Sequence, residues 1–191
     1  MVRLTARDAL IVVDMQNDFM PWGRLPVPGA DKIVEKINHY CRLFSSKNLP
    51  VFATRDWHPE NHVSFDVNGG RWPVHCVQWS KGAEFVEGLE LPPDTFIINK
   101  GDRPELEAYS GFQGTVLNEL LKERGVRRVF VCGVATEFCV KNTCLGALNL
   151  GYTVFLLRDG VKGLGEESEE RAVEELLSSG AISVEASQVG L

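Results

Sequence analysis

The chain has 191 residues, 44% of them hydrophobic and 24% charged, with a net charge of −6 at pH 7. Such values belong to a globular chain with room for a sizeable core; they exclude a disordered or low-complexity protein, and no basic patch points to nucleic acid. No apolar run approaches the length of a membrane span, and the stretch before Ala9 is too short and too polar for a signal peptide, so a cytoplasmic protein with no membrane contact is expected.

In chain order, ALIVVD (9–14) reads as a buried strand, because a short continuous apolar run suits a strand covered on both faces. ADKIVEKINHYCRLFSSKN (30–48) places Ile33, Val34, Ile37, Tyr40, Cys41 and Phe44 at a helical period. PVFATRD (50–56) and TFIINK (95–100) read as the second and third strands. A helix follows near TVLNELLKERG (115–125), closed by Gly125. RVFVCG (128–133) is a fourth strand, 136–150 a helix stopped by Gly151, and YTVFLLRD (152–159) a fifth strand. EESEERAVEELLSSG (166–180) is an acidic helix ending at Gly180, and AISVEAS (181–187) a sixth strand. From Asp159 to Leu191 there are eight acids and two bases, so the net charge sits late in the chain and is expected on a solvated helix face. The alternation predicts a three-layer α/β/α, Rossmann-like fold around a six-stranded, mostly parallel sheet, with residues 1–191 forming one domain.

The stretch 57–93 breaks this rhythm. It has no clean period, yet it carries Trp57, Trp72, Trp79, His58, His62 and His75. A loop this long is usually functional or disordered, and this one is too aromatic for disorder. Asp56 and His58 stand two apart on an extended segment and point the same way, and His62 and His75 follow close behind. A mixed carboxylate and imidazole set suits zinc, iron or manganese and does not choose among them; surface histidines in a wet loop are the competing reading.

In open parallel sheets, ligands bind beyond the carboxyl ends of the strands. Asp14 ends the first strand, Asp56 lies at the end of the second, Lys100 ends the third, and Cys139 follows the fourth. Four chemically capable side chains therefore converge on one sheet edge. Five cysteines with no C-x-x-C pair argue against a disulfide framework, which leaves packing or catalysis. Packing is the default for Cys41, Cys76, Cys132 and Cys144. Cys139 stands near the expected start of a helix, with Thr136 as a candidate N-cap. There, the free N–H groups and the helix dipole would lower its pKa and stabilise an oxyanion. Asp14 can take its proton, and Lys100 can hold the charges in place. G-x-S-x-G, H-E-x-x-H, G-x-x-x-x-G-K-[ST] and G-x-G-x-x-G are all absent, against a serine hydrolase, a zincin, a phosphate-loop enzyme and a dinucleotide binder.

The blocks ALIVVDMQNDF, DWHPENHVSF, WPVHC, NKG with EAYSGF, and VCGVATEFCV, in this order, resemble the nicotinamidase (pyrazinamidase) branch of the isochorismatase-like cysteine hydrolases. The resemblance implies an amidohydrolase that converts nicotinamide to nicotinate and ammonia through a thioester. It implies a triad of Asp14, Lys100 and Cys139, and an oxyanion hole from the backbone N–H groups of Ala135 and Cys139. It also implies a cis peptide between Val134 and Ala135, and aromatic walls from Phe19 and Trp72. For the metal it implies one divalent ion, zinc before iron or manganese, on Asp56, His58 and His75; His62 is a ligand in some relatives only. It leaves a homo-oligomer open. Two readings compete: a metal-free amidase or ureido hydrolase of the same superfamily, and a metal-stabilised binding module without turnover.

Overall fold

The computed structural model describes residues 1–190; Leu191, counted with the expected domain, lies outside the described residues. In chain order the elements are β1 (Val2–Arg3), β2 (Asp8–Val13), α1 (Val34–Ser45), β3 (Val51–Asp56), β4 (Phe96–Lys100), α2 (Leu117–Glu123), β5 (Arg128–Val134), α3 (Lys141–Asn149), β6 (Thr153–Lys162), α4 (Glu166–Ser178), β7 (Ile182–Val184) and β8 (Val189–Gly190). Six strands form one sheet in the order β4-β3-β2-β5-β6-β7, and every pairing in it is parallel.

The sheet is covered on both faces, which explains why its strands read as apolar runs rather than alternations. In β2, Leu10 and Val12 pack with Ile37, Tyr40, Cys41 and Phe44 of α1. Ala9, Ile11 and Val13 face the other way, against residues of α2, α3 and α4 such as Leu121, Ala147 and Val173. The chain runs outward from β2 through β3 to β4, then returns to place β5 on the other side of β2. The carboxyl ends of β2 and β5 therefore flank the point where the strand order reverses, the position at which such sheets form a crevice.

Several expectations are adjusted. The second helix starts at Leu117 rather than 115, because the Thr115 hydroxyl is turned back to the Gly111 carbonyl (2.5 Å) and accepts the Leu117 amide (3.3 Å). The sixth strand is three residues long, since Glu185 and Gln188 form a reciprocal capping box that turns the chain. The turn leads into β8, which pairs with β1 in a small parallel sheet that the sequence did not announce. The 57–93 excursion is built from 3₁₀ turns at Asp66–Asn68 and Lys81–Ala83 and from isolated bridges, His58 to Val77 and Phe65 to Trp72 among them. The late acidic helix is not wholly solvated. Glu169 is buried, pairs with Arg158 (2.9 Å) and accepts from the Thr136 hydroxyl (3.3 Å).

Gly133 is where the crevice constrains the sheet most tightly. Its φ is +116°, and a Cβ there would run into the backbone of Val13 on β2. Gly133→Ala is expected to cost about 3 kcal/mol from backbone strain and overpacking together, lowering the melting temperature by roughly 6–12 °C. An unchanged thermal melt would show that β2 and β5 can separate to take the methyl group.

Candidate active site

Asp14 is the first residue beyond β2 and adopts φ +51°, which turns its side chain out of the strand register. β3 holds it on two sides: its amide donates to the Thr54 carbonyl (3.1 Å), and its Oδ1 accepts from the Thr54 hydroxyl (2.8 Å). Lys100, the last residue of β4, is fully buried, and its ammonium sits at the centre of the site. Nζ lies 2.8 Å from Asp14 Oδ2, 2.5 Å from Asp56 Oδ1 and 3.3 Å from Cys139 Sγ. A carboxylate oxygen of Asp14, one of Asp56 and the Cys139 sulfur lie within 4.8 Å of one another. Asp14 Oδ2 is buried and accepts no well-directed hydrogen bond.

Cys139 lies in a turn of π-helix, Thr136–Val140, that leads into α3. Phe138 and Val140, on either side of it, both donate to the Ala135 carbonyl (3.1 and 3.2 Å). The Val134–Ala135 peptide is cis. Thr136 is not the N-cap; its hydroxyl goes to Glu169, and Ala135 occupies the cap position. Glu137 ties the turn down by accepting from the Leu164 amide (2.9 Å) and the Ser168 hydroxyl (2.8 Å).

The electrostatics differ from the expectation of a thiol depressed by a helix terminus. Burial, then the Asp14 carboxylate, push the Cys139 thiol well above its usual value, and Lys100 offsets only part of this. Burial likewise raises Asp14 despite Lys100. Burial alone would raise Asp56 too, but Lys100 and then His58 outweigh it and hold that carboxyl well below the usual range. Lys100, which burial would discharge, is held charged by Asp14 and Asp56. The remaining thiols are packing residues: all are buried, and burial lifts Cys41 and Cys144 to about 12.

Beside this cluster, Asp56, His58 and His75 form a buried set of donors within 4.8 Å of one another. Each imidazole has its Nδ1 engaged, His58 with the Gly101 carbonyl (2.7 Å) and His75 with the Pro73 carbonyl (2.7 Å). Each Nε2 is thereby left toward Asp56 Oδ2, at 3.4 and 3.6 Å. Gly101 must be glycine here, with φ +58° and the His58 ring where a Cβ would lie. Two imidazoles with a carboxylate are a fitting donor set for a divalent cation. His62 does not join them. It stacks on His58 with ring centroids 3.9 Å apart, and both its nitrogens are engaged, by the Ser64 hydroxyl (2.7 Å) and the Leu106 carbonyl (2.9 Å).

A cleft opens beside the sulfur and this donor set, lined by Phe19, Trp72, His75, Tyr109, Phe138 and Cys139 among others. The Trp72 indole donates to the Tyr109 hydroxyl (3.0 Å) and packs edge-on against Phe138 at 5.1 Å. Tyr109, Phe138, Gln16 and Thr54 were not singled out from the sequence. Tyr109 and Gln16 stand inside quoted blocks, EAYSGF and MQNDF, where their types were a usable signal. Gln16 braces the metal side: its side chain accepts from the Asp56 amide and donates to the Asp56 carbonyl (both 2.8 Å).

The chain matches the isochorismatase domain family over residues 8–188. A pyrazinamidase of Pyrococcus horikoshii in complex with zinc superposes with a TM-score of 0.92 at 57% identity, over 94% of this chain and 99% of that one. A structure from L. infantum in complex with nicotinate has a TM-score of 0.92 at 38% identity, over 99% of this chain and 98% of that one. The nicotinamidase of Acinetobacter baylyi is 38% identical over 90% of this chain and 89% of its own length.

The two engaged nitrogens of His62 give a direct test. His58→Ala and His75→Ala are expected to lose bound metal after dialysis, and His62→Ala to retain it, read by elemental mass spectrometry. Loss of metal from His62→Ala to the same degree would put that ring in the ligand set.

Proposed function

Because the chain belongs to the isochorismatase family, we infer that its cleft hydrolyses the carboxamide of nicotinamide to nicotinate and ammonia. The enzyme is a hydrolase acting on an amide C–N bond. We extend the substrate range to pyrazinamide, because the pyrazinamidase of Pyrococcus horikoshii is similar over nearly the whole chain. The observation that carries the reading is that Asp14, Lys100 and Cys139 meet beside the Asp56, His58 and His75 set, next to a cleft lined by aromatic side chains.

We assign the roles as follows. Trp72 and Phe19 confine a flat ring, which fixes the carboxamide over the sulfur; such positioning is worth about 7–11 kcal/mol of barrier at its best. Asp14 accepts the Cys139 proton, and its raised proton affinity makes it the stronger base. Lys100, 3.3 Å from Sγ, stabilises the thiolate as it forms. Sulfur attacks the amide carbon, and the backbone N–H groups of Ala135 and Cys139 receive the oxyanion. The proton held by Asp14 passes to the departing nitrogen, ammonia leaves, and a thioester remains. A water molecule gives one proton to Asp14 and attacks the thioester; Asp14 returns that proton to the departing sulfur, which restores the thiol and the carboxylate, and nicotinic acid leaves and ionises to nicotinate by losing its proton to solvent. A divalent metal on Asp56, His58 and His75 supplies, when bound, a Lewis-acidic anchor at the far end of the ring. Zinc is our first assignment, from this donor set and from the zinc complex of the similar pyrazinamidase, with iron or manganese as alternatives.

We take the chain as one catalytic domain whose 57–93 excursion brings in the metal side, and we place its reaction in NAD salvage. Among the described residues no helix is long and apolar enough to cross a membrane. The five free cysteines suit a reducing compartment, and we assign the enzyme to the cytoplasm on that basis.

Metal-loaded protein is expected to release ammonia from nicotinamide, and absence of ammonia across several pyridine carboxamides would overturn the activity. Cys139→Ala should lose at least about 10³-fold in kcat with metal content unchanged, whereas Cys144→Ala should stay near the parent rate. A comparable collapse in both would mean the wrong thiol has been chosen. Asp14 must be ionised to take the thiol proton, and its pKa is raised, so activity is lost as pH falls through that raised value. The acid limb of kcat/KM should therefore lie above the ordinary aspartate value of about 3.9; a limb at or below it would remove Asp14 as the base.

A further inference from the structure

Asp18 is a buried carboxylate that the reaction does not use. Among the described residues no ion pair includes it; backbone amides hold it instead. Its Oδ2 accepts the Cys76 amide at 2.8 Å, and its Oδ1 faces the Arg24 amide at 3.4 Å. Cys76 directly follows the metal-side His75 and stands at φ +47°, a conformation that a cysteine does not adopt without help. The Asp18 carbonyl accepts from Leu25 (2.9 Å), and Phe19 accepts from Val27 (3.0 Å), which ties the cleft-lining Leu25 and Val27 to the same short segment. Gly82 closes the arrangement: a Cβ there would overlap the Asp18 carboxylate itself.

We propose that Asp18 is a positioning residue that fixes His75 for metal binding by clamping the Cys76 amide, while its own backbone holds the cleft wall. The logic is that of an outer partner to a metal ligand. His75 has its Nδ1 on the Pro73 carbonyl only two residues away, so nothing in that local bond anchors the 73–76 segment to the rest of the fold. The Cys76 carbonyl accepts from the His58 amide (3.0 Å), and the Asp18 to Cys76 bond adds a second anchor, to the 17–19 segment, across 58 residues of sequence. Removing such a partner ordinarily weakens metal binding by about 10–100-fold without touching a ligand.

This rests on His75 being a ligand, which the parent protein and His75→Ala test separately. The probe is Zn²⁺ alone, titrated into metal-free full-length protein against a chromophoric chelator, with the melting temperature of each metal-free variant measured alongside. Asp18→Ala is expected to bind Zn²⁺ about 10–100-fold more weakly than the parent, by more than its metal-free melting temperature would explain. Asp18→Asn keeps an acceptor oxygen for the Cys76 amide and is expected to recover most of that affinity. Gly82→Ala, which displaces the carboxylate without altering Asp18, should reproduce the loss. Parent-like Zn²⁺ affinity in Asp18→Ala, or equal losses in Asp18→Asn and Asp18→Ala, would overturn the proposal. If the parent binds Zn²⁺ and His75→Ala does not, that failure would leave the metal assignment standing.

Discussion

The site is organised around a positive charge in the protein interior. Burying one ion costs several kcal/mol, while a single ion pair at about 4 Å returns about 4 kcal/mol at an effective dielectric of 20. One carboxylate would leave the Lys100 ammonium near break-even. Two carboxylates, at 2.8 and 2.5 Å, carry it clearly into the charged form. The three residues come from the ends of three adjacent strands, β2, β3 and β4. Lys100 thus joins Asp14, beside the Cys139 sulfur, to Asp56 of the His58 and His75 donor set.

The parallel sheet is what makes this possible. In a doubly covered parallel sheet the strand ends on one edge all point the same way, and the reversal of strand order between β2 and β5 opens a gap there. Asp14 and Cys139 stand at its two rims. β2 and β5 stay paired as far as Val13 and Gly133, where no side chain fits between β5 and the Val13 backbone. Distance alone therefore brings carboxylate and thiol together, and the 57–93 excursion needs only to fold back over one side to complete a cleft.

What the sequence disclosed follows the same division. Side chains at strand ends were legible, because a buried strand can be read from its apolar run and its last residue then has a known direction; Asp14, Asp56 and Lys100 all emerged in this way. The histidine cluster was legible as a set but not residue by residue. His75 turns its Nε2 to Asp56 while both nitrogens of His62 are taken up by other acceptors, and those partners, Ser64, Leu106 and Pro73, come from segments without periodicity. Thr136 was misread as a cap for a similar reason. Its hydroxyl finds Glu169, which the charge pattern of α4 assigns to solvent. Tertiary partners outweighed local propensity at each of these positions.

The raised thiol has a consequence for how charge moves. A thiolate formed in advance would leave the buried cluster with Asp14, Asp56 and the sulfur all negative around one lysine. Burial opposes this, and both Asp14 and Cys139 are shifted toward their protonated forms. Transfer of one proton from sulfur to Asp14 avoids the problem, because one negative charge disappears as another forms a few ångströms away and Lys100 touches both. In the proposed reaction, passing that proton on to the departing nitrogen, which leaves as ammonia, returns the cluster to the charge it began with. The carboxamide nitrogen enters neutral and departs neutral. The acylation half-reaction thus needs no net charge to enter or leave a region where such movement is most costly, and a high thiol pKa is compatible with a reactive sulfur.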